Sequence, residues 1–534
     1  MKNQRDSVIT SKDKLQVENT RPVWFDIIAK DINISKKKIK IGLVNVDAIV
    51  DSDIPEQLNA LHPQVEITSI HFERVNESLK WNDFFPEWNN EDEEKYGRPR
   101  TIPMPLLTPT LKNYKDLNVV MAMVPCGEKE GIRDVFGLQV NLVVANLAVE
   151  NGWFTESDSH RKVYVVFVGS CGPMVEIFRC DDLLMHQGEY WVYRPDLKKL
   201  KQKMLMPLGS CQIAPGYSET GNEIWRQPFL PQSSDPMKHN NTIDIPKLAY
   251  VTVLHSSEAH VCGAIVLAQS ILQTGKTIFQ PIDLLLLADE SISPESIRGL
   301  KAAGWKVKRI QHIQNAKNNA YNYSKLRIWQ LTMYDKIIFI DSNLLVVQNM
   351  DSLFTYPQLS ASPNDRRALF NSGLLIVEPS HCMFEYMMNK TSKVVQGDDQ
   401  GFLNEIFTWW HRLPSGVNYL KSAYQLINEK YEVLEDVYAV HYFGWKPWMC
   451  YRDYDCNWDL QDHHVIASDT AHQLWWQVHD TLPKELQSHC ALTRQINERL
   501  VKMRKLAKDA SLPDGHWKIE IKDPRKDEAS FRLD

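Results

Sequence analysis

Ile337-Ile338-Phe339-Ile340-Asp341-Ser342-Asn343 is the stretch on which the fold turns. Four apolar residues in a row follow Lys336 and stop at an acid, Asp341. A short continuous apolar run of this kind is the pattern of a strand covered on both faces. An acid delivered to the exposed carboxyl end of such a strand can hold a metal that bridges two phosphates, because hard cations take oxygen ligands and a diphosphate supplies two. Taken alone, the same acid is equally a turn or helix-cap residue.

Upstream, the texture supports the strand. Leu248–Leu254 is β-rich, and Ala264, Leu267, Ala268 and Ile271 then fall on one helical face. Ile282–Leu287 reads as a strand, Pro294–Ala303 as a helix and Lys306–Ile310 as a strand, and Lys325–Met333 puts Leu326, Trp329 and Met333 on one side. Strands alternating with helices predict an α/β domain with a parallel sheet covered on both faces, whose ligands bind at the carboxyl ends of the strands.

Downstream lie three polar groups. Asn371-Ser372-Gly373 precedes the strand Leu374–Val377, and Asn371 offers amide donors and an acceptor for hydroxyls. Gly397-Asp398-Asp399-Gln400-Gly401 opens a helix, where Asp399 and Gln400 suit a sugar and Asp398 or Asp399 equally suits an N-cap. His441-Tyr442-Phe443-Gly444-Trp445-Lys446-Pro447-Trp448 joins a histidine able to complete a metal shell to a lysine able to neutralise a departing diphosphate. A buried histidine beside a proline turn reads the same way.

At 534 residues the chain is expected to hold more than one domain. Residues 1–37 read as a polar tail, 38–206 as an amino-terminal α/β domain, 207–246 as a linker, 247–485 as the domain carrying the motifs, and 486–534 as a charged tail. In the amino-terminal domain Ile39–Val46 is the first strand, Phe136–Val149 a buried helix, and Val163–Val168 and Met174–Phe178 two strands joined by a turn. A net charge of -6 gives no support to a nucleic-acid partner. The nine Cys show no CxxC pair, which argues against structural zinc, and their odd number leaves a free thiol. Sequons at Asn33, Asn76, Asn240 and Asn389 are compatible with a secretory route, and a fifth at Asn322 adjoins a motif. No apolar run approaches the ~18 residues of a membrane span, and Met1–Arg21 is not a signal peptide, so the expectation is a soluble protein or one whose anchor is missing from this sequence.

In this order and spacing the chain resembles the family 8 retaining glycosyltransferases, the glycogenin-like group with a GT-A fold. The residues that carry the resemblance are Tyr250-Val251-Thr252-Val253-Leu254 with Gly263-Ala264, Ser324-Lys325-Leu326, Asp341-Ser342-Asn343, Asn371-Ser372-Gly373, Asp399-Gln400 and His441 through Trp448. The strings YVTVLHSSEAHVCGAIVLAQSI, NYSKLRIWQL, LQVNLVVANLAV and RCDDLL are further similar to the plant xylan α-glucuronosyltransferases, the glycogenin-like starch-initiation group, and extend the resemblance over most of the chain.

The resemblance implies a Rossmann-like mixed sheet that binds a nucleotide sugar. It also implies Mn²⁺, UDP-glucuronate as donor, xylan or xylo-oligosaccharide as acceptor, and the Golgi lumen with other Golgi enzymes as partners. It carries over Asp341, Asn343 and His441 as metal ligands, and Lys325 and Lys446 as phosphate or donor contacts. Val253, His255 and Ser256 would line the uridine pocket; Asn371, Ser372, Asp398, Asp399 and Gln400 would hold the sugar; and Ser342, Gly373 and Gly444 would lie against the donor. Lys325 and Asp399 are the catalytic candidates, Asp399 as the one motif carboxylate open to a double displacement. Arg327, Arg366 and Arg367 are candidates for the glucuronate carboxylate. The chain departs from the family at Asn343, where Asp-x-Asp is usual, and at His260, where relatives place Tyr. Asn343 keeps open a weakly active or inactive relative that binds nucleotide sugar or acts as a scaffold, and a transferase using UDP-glucose is the third reading.

Overall fold

The computed structural model describes residues 21–32, 38–45, 58, 61, 63–85, 113–124, 133–152, 161–204, 246–275, 282–313, 323–364, 368–391, 398–421 and 437–526. The linker expected over 207–246 lies almost wholly outside them, as do Arg366 and Arg367.

The amino-terminal sheet contains β1 (Ile39–Val44), β2 (Val65–Ile70), β3 (Val119–Met123), β4 (Tyr164–Val168), β5 (Leu183–Gln187) and β6 (Tyr190–Tyr193), in the order β2-β1-β3-β4-β6-β5. The first four are mutually parallel, and β6 runs antiparallel to β4 and β5. The predicted helix is present over Val135–Gly152 and is buried on nearly every side, as its uninterrupted apolar sequence requires. Met174–Phe178, expected as a strand, is instead a pair of turns in which Ile177 N and Phe178 N both donate to Met174 O. Asn141 Oδ1 takes the Met174 N–H at 3.1 Å, so that amide is lost to any ladder, and β6 pairs with β4 in its place.

Neither expected tail is wholly a tail. Val23–Ile32 is a helix whose Trp24, Phe25 and Ile28 are buried against Ile39, Ile41 and Tyr164. Arg494–Asp509 is a helix with Leu500, Met503 and Ala507 buried, packed on Cys450, Tyr451, Tyr454 and Cys456. Beyond it, Arg525 donates to the carbonyls of Trp448, Cys450 and Cys490 and straps the end of the described chain to the second domain.

The second domain is built on β7 (Leu248–Leu254), β8 (Asp283–Ala288), β9 (Lys306–Arg309), β10 (Lys336–Ile340), β12 (Ser360–Pro363), β13 (Phe370–Val377) and β14 (His411–Arg412), in the order β14-β12-β13-β10-β7-β8-β9. Here β9, β8, β7 and β10 are parallel, whereas β13 is antiparallel to β10, so the sheet is mixed rather than all-parallel. A second small sheet holds β11 (Leu344–Val346), β16 (Ala439–His441) and β15 (Tyr419–Leu420). In β10, Ile337 and Phe339 enter one core with Trp329, while Ile338 and Ile340 enter the other with Ala264 and Leu267. Alternate side chains thus meet apolar layers on opposite faces, which is why the strand reads as an unbroken apolar run. Each such side chain contributes about 1.5–3 kcal/mol of burial.

Ser324–Gln330 forms a 3₁₀ helix with Leu326 and Trp329 buried, but Met333, expected on the same face, is 51% exposed. The helix ends at Gln330, so Met333 falls in the turn beyond it.

The two domains close on each other through one continuous core. Phe85 stacks on Trp410 at 5.3 Å, and Trp81 and Phe84 meet Trp409 edge-on. The buried carboxylate of Glu176 accepts from Thr408 N, Thr408 Oγ1 and Trp409 N. A disulfide, Cys180–Cys382, crosses the seam. A second, Cys262–Cys490, ties the helix Val261–Thr274 to the carboxy-terminal segment, and Cys171 is also disulfide-bonded. Cys450 and Cys456 are buried free thiols.

Candidate active site

The carboxyl ends of β7, β8 and β10 and the amino end of the antiparallel β13 open to the same side, and most of the motif residues converge there. Asp341 follows β10 and its N–H donates to Gly373 O at 2.8 Å. Asn371, Ser372 and Gly373 lie within β13 rather than before it, because Phe370 already pairs with Pro363.

Lys325 is the centre of the arrangement. Its side chain is 7% exposed, and Nζ lies 2.7 Å from Asp399 Oδ2, 3.4 Å from Asp341 Oδ1, 3.1 Å from Ser372 Oγ and 3.3 Å from Ser372 O. Burial opposes its charge, but Asp341 and Asp399 prevail and hold the ammonium above the usual lysine range. For Asp341 burial prevails over Lys325 and pushes the carboxyl up to about 6. Its side chain is 30% exposed, so solvent tempers that push. Asp399 begins the helix Asp399–Ile406, and its Oδ1 accepts from Gln400 N. Gln400 Oε1 accepts from Ser372 N at 3.1 Å, which ties the helix start to β13. Asp398 stands apart: it is exposed and caps that helix through Gly401 N at 2.9 Å.

A second chain of hydrogen bonds sets His441. Asn418 Oδ1 lies 3.0 Å from His441 Nδ1, Asn418 Nδ2 donates to Asn371 Oδ1 at 2.8 Å, and Gly373 N donates to the same Asn371 oxygen. An amide oxygen only accepts, so His441 Nδ1 carries the proton and Nε2 keeps its lone pair. Burial, helped by Lys446 and Lys325, drives the histidine pKa well down and keeps the ring neutral. Gly373 has to be glycine, since a Cβ there would meet His441 Cε1 at 2.4 Å.

Asn343 Nδ2 donates to Tyr442 O at 3.1 Å, and Tyr442 N donates to Asn343 O, so the Asn343 amide is fixed with its oxygen as the remaining acceptor. Lys446 Nζ also donates to Tyr442 O, at 2.6 Å. Burial, then Lys421, lowers Lys446 to about 8, with Asp341 pulling the other way. Ser342 is buried, and its carbonyl lies against Gly263, where a Cβ would sit 2.5 Å from it.

The ends of β7 and β8 form the neighbouring wall. Val253 is half-buried, and Ser256 takes a φ of 63° while its N–H donates to Asp289 Oδ2. Asp289 also accepts from Ser291 N and lies 3.3 Å from His312 Nδ1. His255 Nδ1 is 3.3 Å from Ser256 Oγ, and burial lowers its pKa with Asp399 acting against it. His260 is brought down to about 4 by burial and Lys446, and its ring meets Trp448 edge-on at 6.2 Å. Arg327 is engaged elsewhere, donating to Gln311 O and Gln330 Oε1 over the Phe384 ring.

Asn418 and Asp289 were missed by sequence reasoning. Asn418 meets Asn371 and His441 from other strands, and Asp289 joins Ser256 and His312 across strand ends besides its local Ser291, so no local spacing marks either as a site residue.

The donor set fits a divalent cation. One carboxylate (Asp341) and one amide oxygen (Asn343), both in the turn between β10 and β11, and a neutral imidazole with Nε2 free (His441, in β16 paired with β11) are oxygen and nitrogen ligands on neighbouring elements. Among the described residues the one cluster of three His, Cys, Asp or Glu side chains close enough to chelate is Cys180, Asp181 and Cys382, and its cysteines are joined as a disulfide.

Comparisons with known proteins place the chain in a family. Glycosyl transferase family 8 matches residues 251–450, and the GUX1-5 N-terminal domain matches residues 13–211. The Arabidopsis thaliana protein named putative UDP-glucuronate:xylan alpha-glucuronosyltransferase 4 is 45% identical over 523 residues, covering 95% of this chain and 89% of the relative. UDP-glucuronate:xylan alpha-glucuronosyltransferase 2 of the same plant is 44% identical over 541 residues, covering 98% and 86%. A crystal structure of an active-site mutant of LgtC aligns with 45% of this chain and 99% of its own at 16% identity and a TM-score of 0.34. The chain is a glycosyltransferase with an α/β carboxy-terminal domain, taking a nucleotide-sugar donor and a glycan acceptor, and it belongs to the UDP-glucuronate:xylan alpha-glucuronosyltransferase group of glycosyl transferase family 8.

Proposed function

We propose that the protein transfers glucuronic acid from UDP-glucuronate to O-2 of xylose units in the xylan backbone, with retention of configuration and with Mn²⁺ as the cation. The observation that carries the reading is the buried Lys325, held between Asp341 and Asp399 at the strand ends. Asp341, Asn343 and His441 would hold the cation, which would supply charge stabilisation to the departing diphosphate. Lys446 and Lys325 add cationic charge on the same side. Asn371, Ser372, Asp399 and Gln400 grip the sugar hydroxyls, and Val253, His255 and Ser256 line the uridine pocket.

Both Asp399 oxygens already have partners, Lys325 on Oδ2 and Gln400 N on Oδ1. A carboxylate so held orients better than it attacks, which favours a same-face route over a double displacement. The bond from the anomeric carbon to phosphate oxygen breaks, and the acceptor O-2 attacks from that face. The O-2 proton passes to the leaving phosphate, giving UDP and an α-linked product.

The three disulfide-bonded pairings at Cys180, Cys262 and Cys171 suit an oxidising compartment and support a Golgi-lumen location. The described sequons at Asn76 and Asn389 are exposed, as glycan acceptors must be. No helix among the described residues is long and apolar enough to cross a membrane.

The amide at Asn343 favours a second reading, a protein that binds the nucleotide sugar without turning it over. The test is product analysis after incubation with UDP-glucuronate, xylo-oligosaccharide and Mn²⁺. The transferase reading expects a glucuronosyl residue α-linked at O-2. Donor binding without product supports the second reading, and glucose on the protein's own tyrosines from UDP-glucose would displace both.

A further inference from the structure

We propose that Asn457, which lies beyond the residues matched by the family 8 description, is a positioning residue for the donor diphosphate. It acts through the backbone of the Gly444-Trp445-Lys446 turn, and the inference rests on the reading of Lys446 as a diphosphate contact.

One amide side chain closes on both polar groups of Trp445: Asn457 Oδ1 accepts from Trp445 N at 2.8 Å, and Asn457 Nδ2 donates to Trp445 O at 3.1 Å. That pair of bonds fixes the orientation of the residue on which Lys446 hangs. The turn is shaped to receive the amide. Gly444 has a φ of 63°, and a Cβ there would lie 2.3 Å from Asn457 Oδ1, so glycine is required for both conformation and room.

Asn457 is itself held rigidly. It is fully buried, and both its N–H and its Nδ2 donate to Asp455 Oδ1. Asp455 Oδ2 takes Lys421 Nζ at 2.6 Å and Ser468 N at 2.8 Å, and neither side chain of the Lys421–Asp455 pair is exposed. Lys421 N in turn donates to His441 O. The circuit from His441 through Lys421, Asp455 and Asn457 to Trp445 therefore encloses the whole His441–Lys446 segment from behind. An ammonium that serves a diphosphate from a flexible turn loses most of its value, because small misplacements of a charged contact are costly.

A purely structural asparagine would weaken every ligand alike. A positioning role is selective for the phosphates, so the test compares UDP with uridine. Binding of each to the full chain is measured by calorimetry with Mn²⁺ for the wild type, Asn457→Ala, Asn457→Ser and Lys446→Ala. The expected result is about tenfold weaker UDP binding in the Asn457 variants with uridine binding unchanged. Donor KM should rise with acceptor KM unaltered, and Asn457→Ala should add nothing to Lys446→Ala in the double variant. Should Asn457→Ala not fold, Asn457→Ser, which keeps a polar group at the same place, carries the test with the same expectation. Selective UDP weakening in Lys446→Ala but wild-type UDP binding in the Asn457 variants overturns the inference and leaves the Lys446 reading standing. Parallel loss of UDP and uridine in the Asn457 variants also overturns it. Wild-type UDP binding in Lys446→Ala overturns the Lys446 reading, and the inference with it.

Discussion

Strands β10 and β13 carry a buried charge cluster at each end, and the two clusters are built on opposite terms. At the carboxyl end of β10 two carboxylates, Asp341 and Asp399, share one ammonium, Lys325. At the amino end one fully buried carboxylate, Glu378, is ringed by Arg179, Lys199 and Lys336, with Lys203 close enough to feel it and the exposed Asp181 on the outer side of Arg179. Burial alone would raise Glu378, but Arg179 and the lysines hold it far below the usual carboxylate range. The lower cluster draws Arg179, Lys199 and Lys203 from one domain and Glu378 and Lys336 from the other, beside the Cys180–Cys382 disulfide. Its carboxylate is saturated, which suits a joint that stays closed. The upper cluster keeps carboxylate in excess of ammonium, a balance that suits the binding of a divalent cation.

That contrast is broken most directly at Asp341. Asp341→Asn is expected to lower the rate of acceptor-dependent UDP release about a thousandfold. The melting temperature should hold or rise, because a carboxyl that burial disfavours is removed. At the opposite pole the effects should reverse. Glu378→Gln strands several cations in the seam, and a loss of about 3–5 kcal/mol is expected in denaturant melts. UDP affinity of the folded fraction should be untouched.

Lys203 sharpens the comparison through pH. Burial lowers its pKa from 10.5 to about 7, with Glu378 opposing, and Nζ donates to Gln358 O across the seam. A depressed lysine pKa means that the unfolded chain binds the proton more tightly. The cost to the fold is therefore full below about 7 and fades as pH rises toward 10.5. Lys203→Met should flatten that rise in stability and add about 1 kcal/mol or more near neutral pH. Melting curves recorded across the window check both. The smallest effect is expected at Asn343. Asn343→Asp adds a charge beside Asp341, with Lys446 close by on Tyr442 O to accommodate it, and Mn²⁺ affinity should tighten about tenfold by titration.

What the sequence made legible follows from how local each signal is. The strand ending at Asp341 announced itself because both faces are buried, and the helix Val135–Gly152 did so for the same reason. The convergence of Lys325, Asp341, Asn371, Asp399 and His441 was legible only as a family pattern, since their spacing along the chain carries no geometry. Asn418, Asp289 and Asn457 were hidden because a single amide or carboxylate has no periodicity. The packed helix Val23–Ile32 was hidden by its shortness within a polar stretch, and Arg494–Asp509 by charge. In the second, Arg and Lys surround a narrow stripe of Leu500, Met503 and Ala507 that buries against Tyr451 and Tyr454. Asp398 caps the helix Asp399–Ile406, and a helix cap and a ligand look alike in the sequence before the helix is seen.

The central claim is that the buried Lys325, shared by Asp341 and Asp399, is part of a working transfer centre. Its most direct test is UDP release from UDP-glucuronate with xylo-oligosaccharide and Mn²⁺, measured side by side for the wild type and Lys325→Ala. The account predicts acceptor-dependent release by the wild type and a drop of about a hundredfold or more in the variant, with the two proteins still sharing the uridine affinity of an intact fold. Equal release by Lys325→Ala, or none by the wild type, would contradict it.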